Sequence, residues 1–477
     1  MTQRPRLHSH TALRLAPLML VPFLLAGCSL APKTILSAPP VPQSWPIGDA
    51  ALMESEAALP MVSYRDIFTD AQLQHLIEQA LQENRDLRVA YANVSAARAQ
   101  ARSSRADIFP DIGLSGSANR TGQSGVADRS SYALRGGVTG FELDLFGRLS
   151  NAAAADRNAA LATEAASRTV RLALIAELAS AWASYGANRD LLTIAEDTAK
   201  NARESVRLTK ARLDGGIAPR TDLRQAEQIL ATAEDSIAQQ TALLAQDENL
   251  IRLLIGQDVD RALLPASLAQ ASAGIGAPPA GTRSEILLRR PDVIQAEYDL
   301  RAANANIGVA RARLFPSISL TGLLGLASDA LSGLFNGDAW NWSAGANVAA
   351  PIFNFGGRKA DVAATQARRD AALARYEGSI QTAFREVADA LAVQATIAER
   401  LRAARNDSDA ALDTARLSEA RYRGGIDSFL ASLVAQRSLY TARRGEIQTQ
   451  YLHAQTRINL FRALGGDSAA QGPISAP

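Results

Sequence analysis

The chain carries one structural plan twice, and this constrains it more than any other feature. RADIFPDIGLSG (Arg105 to Gly116) returns as RARLFPSISLTG (Arg311 to Gly322). ELDLFGR (Glu142 to Arg148) is echoed by PIFNFGGR (Pro351 to Arg358), and ARLDGGI (Ala211 to Ile217) by ARYRGGI (Ala420 to Ile426). The copies lie about 207 residues apart, far beyond solenoid periods. The chain therefore reads as a tandem duplication of one unit.

Each unit has the same order. A helical segment runs to Phe109-Pro110 or Phe315-Pro316, where proline stops the helix and starts an extended run. Two segments of period 2 follow. Ile112, Leu114 and Ala118 alternate with Ser115, Ser117 and Asn119; Tyr132, Leu134 and Val138 alternate with Arg135 and Thr139. In the second copy Ile318, Leu320, Gly322, Leu324 and Leu326 alternate with Ser317, Ser319 and Thr321, and Trp340 to Val348 alternates likewise. Runs of about 9–11 residues suit tilted strands that cross a bilayer, with Trp340 and Trp342 as an interfacial girdle. A small soluble sheet is the alternative. A long helix, a Gly-Gly turn and a second helix complete each unit.

The long helices carry heptad seams. Val170, Leu174, Leu178, Ala181, Tyr185, Asn188, Leu192, Ala195, Ala199, Ala202, Val206, Thr209 and Leu213 follow at spacings of three and four, with Gly186 as a weak breaker. Leu373, Tyr376, Ile380, Phe384, Val387, Leu391 and Gln394 form the counterpart. Scarce aromatics (5%) and frequent alanine favour long helices packed through small side chains over a jigsaw core. Four strands cannot close a barrel, and an open edge in lipid leaves backbone groups unpaired. Two or three chains must therefore pool their strands, and three would give twelve with pseudo-sixfold symmetry.

The N-terminus sets the compartment. Arg4, Arg6 and Arg14 precede an apolar stretch, Leu15 to Ala26, too short to span a membrane. It ends in Leu25-Ala26-Gly27-Cys28, which resembles the lipobox of bacterial lipoproteins and implies acylation of Cys28 and, with Ser29 next, sorting to the outer membrane. The sole cysteine leaves no intrachain disulfide. Lysine and arginine (50) balance aspartate and glutamate (48), which argues against a nucleic-acid partner. His8, His10, His75 and His453 lack metal-ligand spacing, and no catalytic constellation or phosphate loop is visible. The reading is no enzyme, no metal and no cofactor beyond a covalent lipid.

At this point the residues resemble a family. LLRRPDVIQAEYDLRAANANIGVARARLFPSISLTG (Leu287 to Gly322), ELDLFGR, PIFNFGGR and RYRGGIDSFLASLVAQRSLYTAR (Arg421 to Arg443) are similar to TolC-like outer membrane factors of the NodT/OprM efflux-lipoprotein type. The resemblance spans about Asp70 to Gly465. It implies a mainly α fold with a membrane β-barrel: a homotrimer with a twelve-stranded barrel, a twelve-helix periplasmic α-barrel and an equatorial belt. It also implies a periplasmic adaptor and an inner-membrane RND pump as partners, and a passive exit duct for small molecules such as drugs. A type I secretion duct is the alternative of the same class, disfavoured by the lipobox. A structural coiled-coil envelope lipoprotein is the alternative of another class, disfavoured by the period-2 segments.

Local reading and resemblance together assign the sites. Gly215-Gly216-Ile217 and Gly424-Gly425-Ile426 are hairpin tips; from sequence alone a plain turn is the preferred reading, and it is the resemblance that makes them adaptor-docking sites. Arg212, Arg421 and Tyr422 are expected in inter-helix contacts that hold the tip closed. Asp222 and Asp427 are expected as gate acids, although an Asp near a helix start is also an ordinary cap. Leu433-Val434-Ala435-Gln436 stands where the family usually reads Leu-Asp-Ala-Gln, so one gate acid is missing. The expected organisation is a signal peptide at 1–27, an anchored extension at 28–69, a first repeat at 70–264 (strands about 111–145, helical hairpin about 149–256), a second at 282–466 (strands about 316–352, hairpin about 358–465), and a disordered tail at 467–477.

Overall fold

A computed structural model describes residues 29–33, 63–276 and 284–466; Cys28, the signal peptide and the C-terminal tail lie outside the described residues. The elements run α1 (Tyr64–Ile67), α2 (Ala71–Glu83), α3 (Arg85–Ala106), β1 (Ile112–Gln123), β2 (Val126–Glu142), α4 (Arg148–Asp214), α5 (Arg220–Ile255), α6 (Leu268–Ala273), α7 (Pro291–Ala312), β3 (Ser317–Ser328), β4 (Trp340–Ala349), α8 (Gly357–Arg423) and α9 (Phe429–Ala463). Helix, two strands, long helix, turn and shorter helix thus occur twice in one order. α4 and α8 each contain 67 residues. Gly186 does not interrupt α4; it lets the backbone of Ser267 approach, where a Cβ would lie 3.0 Å from the Ser267 carbonyl. α3 and α7 stop three residues before their Phe-Pro pairs, which close as turns through Phe109 N–H to Ala106 O and Phe315 N–H to Ala312 O.

The chain divides into two compact units, each built from segments of both repeats. Among the described residues the first comprises 29–33, 94–163 and 295–376 and holds all four strands. They form one antiparallel meander, β1-β2-β3-β4. β2 and β3 belong to different repeats, yet they pair from Tyr132↔Ser328 to Glu142↔Ser319. β2 has 17 residues, longer than the expected run, and carries a bulge between Val138 and Phe141 with Gly140 at φ 69°. The bulge inserts one residue opposite Thr321, so Val138 and Phe141 face the same side although their spacing is odd.

Among the described residues the second unit comprises 63–93, 164–276, 284–294 and 377–466. Along α4 the heptad positions Leu174, Leu178, Ala181, Tyr185, Ala195, Ala199, Ala202 and Thr209 are buried; on α8 Tyr376 (in the first unit), Ile380, Val387 and Leu391 are buried. Besides these seams lies a close-packed core that low aromatic content did not suggest. Phe68, Leu73, Leu76, Ile77, Trp182, Ile251, Ile255 and Phe461 are fully buried there. Phe68 meets Phe461 edge-on at 5.1 Å, and the Trp182 indole donates to Leu263 O at 3.1 Å. The packing is jigsaw-like here, because α2, α5, α9 and the 261–276 segment bring large side chains around one stretch of α4.

Candidate functional site

The sheet separates its side chains by face, since residues paired across an antiparallel ladder point the same way. One face carries Leu114, Leu134, Leu324 and Leu326, with Trp342 opposite Leu324 and Trp340 opposite Leu326. The opposite face carries Ser115, Arg135, Ser319, Thr321, Asn341 and Asn347. The apolar face is exposed, with Trp342 at 73%. β1 and β4 end the meander, with outward edges unpaired in the single chain.

The two expected tryptophans sit at the start of β4, at the end of the sheet where the β1–β2 and β3–β4 loops lie. A second aromatic level was missed in the sequence. Ile352, Phe353 and Phe355, in the β4–α8 link, are almost fully exposed (Phe355 90%), and Phe109 is exposed before β1. The signal was present in the echo of PIFNFGGR, where aromatic residues flank the strand end. ELDLFGR fixes the other strand–helix joint. Arg148 donates to Glu142 Oε1 at 2.7 Å and Oε2 at 2.6 Å, and the Asp144 carboxylate accepts from Leu149 and Ser150 N–H at 3.0 and 2.7 Å, capping α4.

Both tips are built alike. Gly216 lies at φ 71°, its N–H donating to Leu213 O, while Ile217 N–H donates to Arg212 O. Gly425 lies at φ 72° with the same pair of bonds, Gly425 to Tyr422 and Ile426 to Arg421. This is the Schellman arrangement, in which a left-handed residue lets the chain leave a helix while satisfying its last carbonyls. Gly215 and Gly424 precede the left-handed residues. Ile217 and Ile426 then project into solvent, 78% and 67% exposed.

The structure brings two of the three expected contact residues together. The Arg212 guanidinium stacks over Tyr422, whose ring lies 5.3 Å from Phe429. Tyr422, Phe429, Leu433 and Ala226 form a small buried cluster. Arg421 instead turns to Asp427, donating through Nε at 2.6 Å and Nη2 at 3.1 Å. That bond holds the Asp427 carboxyl below the usual carboxylate range. Asp427 is thus ion-paired within its own tip. Asp222, in the first turn of α5, has no ion-pair partner among the described residues. Val434 is exposed where an acid was expected.

Among the described residues no cluster of His, Cys, Asp and Glu could hold a metal, and no helix is long and apolar enough to cross a membrane. The chain combines an amphipathic meander whose edges are open with long duplicated helical hairpins. The chain belongs to the outer membrane efflux protein family, whose model matches residues 76–257 and 282–466. It is 39% identical over 467 residues to the probable efflux pump outer membrane protein TtgC of Pseudomonas putida, covering 95% of each chain. It is 36% identical over 459 residues to the cation efflux system protein CusC of Escherichia coli, covering 95% of this chain and 100% of that one. A solved structure of CusC superposes with a TM-score of 0.82 at 36% identity, over 92% of this chain and all of that chain. The open state of the Neisseria gonorrhoeae MtrE outer membrane channel gives 0.84 at 30% identity, over 92% and 98%.

Proposed function

We propose that three copies pool their strands into a twelve-stranded barrel whose apolar face meets lipid, and their hairpins into a periplasmic helical barrel. The observation that carries this reading is the sheet itself: an exposed apolar band of Leu114, Leu324, Trp340 and Trp342 on one face, and two edges unpaired in the single chain. Only closure removes such edges in a bilayer. Trp340 and Trp342 mark one interface and Phe109, Phe353 and Phe355 the other.

The duct is passive and carries small molecules such as drugs, with energy supplied by an inner-membrane RND pump. Gly215, Gly216 and Ile217, with Gly424, Gly425 and Ile426, form tips on which a periplasmic adaptor docks, the exposed isoleucines supplying apolar contact. Arg212 and Tyr422 hold the two hairpins of one protomer together near the pore end. Asp222 is the free acid at the gate, while Asp427 acts through Arg421. Acylated Cys28 anchors the chain to the outer membrane. The test is deletion of the gene with complementation, scored by drug susceptibility beside chemical crosslinking in the outer membrane. Restored efflux with a three-chain product is expected; efflux carried by a monomer would overturn pooling.

A further inference from the structure

The segment that follows Cys28 is not loose. Ser29 to Pro32 lies against α4 and α7, within the unit that holds the sheet. The Ser29 hydroxyl donates to Asn151 Oδ1 at 2.8 Å, and Asn304 Nδ2 donates to Pro32 O at 2.6 Å. Arg311 Nη1 reaches Leu30 O at 3.2 Å. Asn151 and Asn304 are each only 5% exposed. Asn151 is itself held, its Nδ2 donating to Gly147 O at 2.5 Å. Gly308 makes room for it: a Cβ there would lie 2.7 Å from the Asn151 amide.

The other repeat lacks this arrangement. Aligning the copies on Phe109 and Phe315 places Arg98 where Asn304 stands and Arg102 where Gly308 stands; aligning on Arg148 and Arg358 places Asp361 where Asn151 stands. Charges and a long side chain thus replace two neutral amides and a glycine. Asn151, Asn304 and Gly308 thus have no like residue at the matching positions of the other copy.

We propose that Asn151, Asn304, Arg311 and Gly308 form a dedicated seat for the chain's own N-terminal segment, which fixes the acylated end beside the start of α4. The proposal rests on the anchor reading of Cys28 for its purpose, but not for its geometry. Seating converts a lipid on a free tether into one held at a set place, which raises its effective concentration at the adjoining membrane face. Ser29 then serves as a docking group, independent of its part in sorting.

Full-length protein carrying Ala31→Cys, purified from outer membranes, would be labelled with a polyethylene-glycol maleimide and the site mapped by peptide mass. Half-buried Ala31 should label slowly in the parent. Asn304→Leu and Gly308→Ala should each label about tenfold faster, as loss of a buried hydrogen bond implies. Ser29→Ala, which leaves the helices intact, should raise the rate several-fold. Arg105→Leu, the counterpart of Arg311 in the other repeat, should leave it unchanged. Parental rates in both Ser29→Ala and Asn304→Leu would overturn the seat. Labelled palmitate added to the same cells tests the anchor separately: absent lipid with position 31 still protected would remove the anchor reading and keep the seat.

Discussion

The guanidinium of Arg212 lies over the ring of Tyr422, 4.7 Å from its centroid, and so ties the end of the first hairpin to the end of the second. The Tyr422 hydroxyl is buried without a hydrogen-bond partner, so the ring rather than the oxygen holds the contact. Tyr422→Phe should leave stability and drug resistance unchanged. Tyr422→Ala should cost about 3–5 kcal/mol through the lost ring and cavity, and should admit large antibiotics that intact cells exclude. Arg212→Ala should add little in the Tyr422→Ala background. Susceptibility to a large glycopeptide, measured for the four genotypes, checks this, and additive effects would show that the pair does not act as one latch.

The two faces of the sheet predict opposite tolerance. Arginine at Leu320 or Leu324 should cost about 2–4 kcal/mol near the bilayer midplane, whereas Ser319→Arg on the polar face should be accepted. Thr321 is less suited to the comparison, because its hydroxyl accepts from Gly140 N–H at 3.2 Å beside the bulge. Outer-membrane yield of heat-resistant oligomer is the measurement, and equal damage from both faces would refute the lipid-facing assignment.

Docking at the tips is best probed without disturbing the turn. Gly425 sits at φ 72°, so tryptophan there strains the backbone whatever it does to a partner. Ile217→Arg and Ile426→Arg change only exposed side chains. Each should leave channel levels near normal while lowering adaptor crosslinking and resistance at least severalfold. Normal crosslinking in the double variant would leave the tips as plain turns.

The buried cation Arg290 binds Asp292 and Glu386, both at 2.8 Å, and donates to Ala463 O at 2.8 Å. It joins the start of α7, the middle of α8 and the end of α9. Arg290→Ala should destabilise by about 3–5 kcal/mol, and Arg290→Lys should recover only part of this because it cannot serve three acceptors in a plane. Denaturant unfolding of the purified protein gives both values.

Stability should fall at mildly acidic pH through His453. Burial, followed by repulsion from Arg457 and Arg405, pushes its pKa below the ordinary 6.5. The folded state therefore binds the proton less readily than the unfolded one. The contribution is complete above about 6.5 and is lost as pH falls through the folded value. His453→Gln should flatten the melting temperature between neutral and mildly acidic pH; an unchanged slope would rule the residue out.

Periodicity and turn chemistry made most of the plan legible. Heptad spacing located α4 and α8, alternation located the four strands, and the Gly-Gly pairs marked both reversals to the residue. The bulge in β2 was not legible, since it breaks the alternation on which strand reading relies. Nor was the core around Trp182 and Phe68, whose members come from segments far apart in the chain.

The sequence by itself determined the duplication, the order of elements and the two faces of each strand, because each follows from neighbours within a turn or a pleat. Tertiary structure alone decided that β2 pairs with β3 across the repeats. It also turned Arg421 to Asp427 while Arg212 found Tyr422, and it seated Ser29 on Asn151. In the pairing of β2 with β3, of Arg212 with Tyr422 and of Ser29 with Asn151 the partners lie more than a hundred residues apart, and no local period carries that information. At the tip, several cations compete for one ring and one carboxylate within reach, and only packing in three dimensions selects between them.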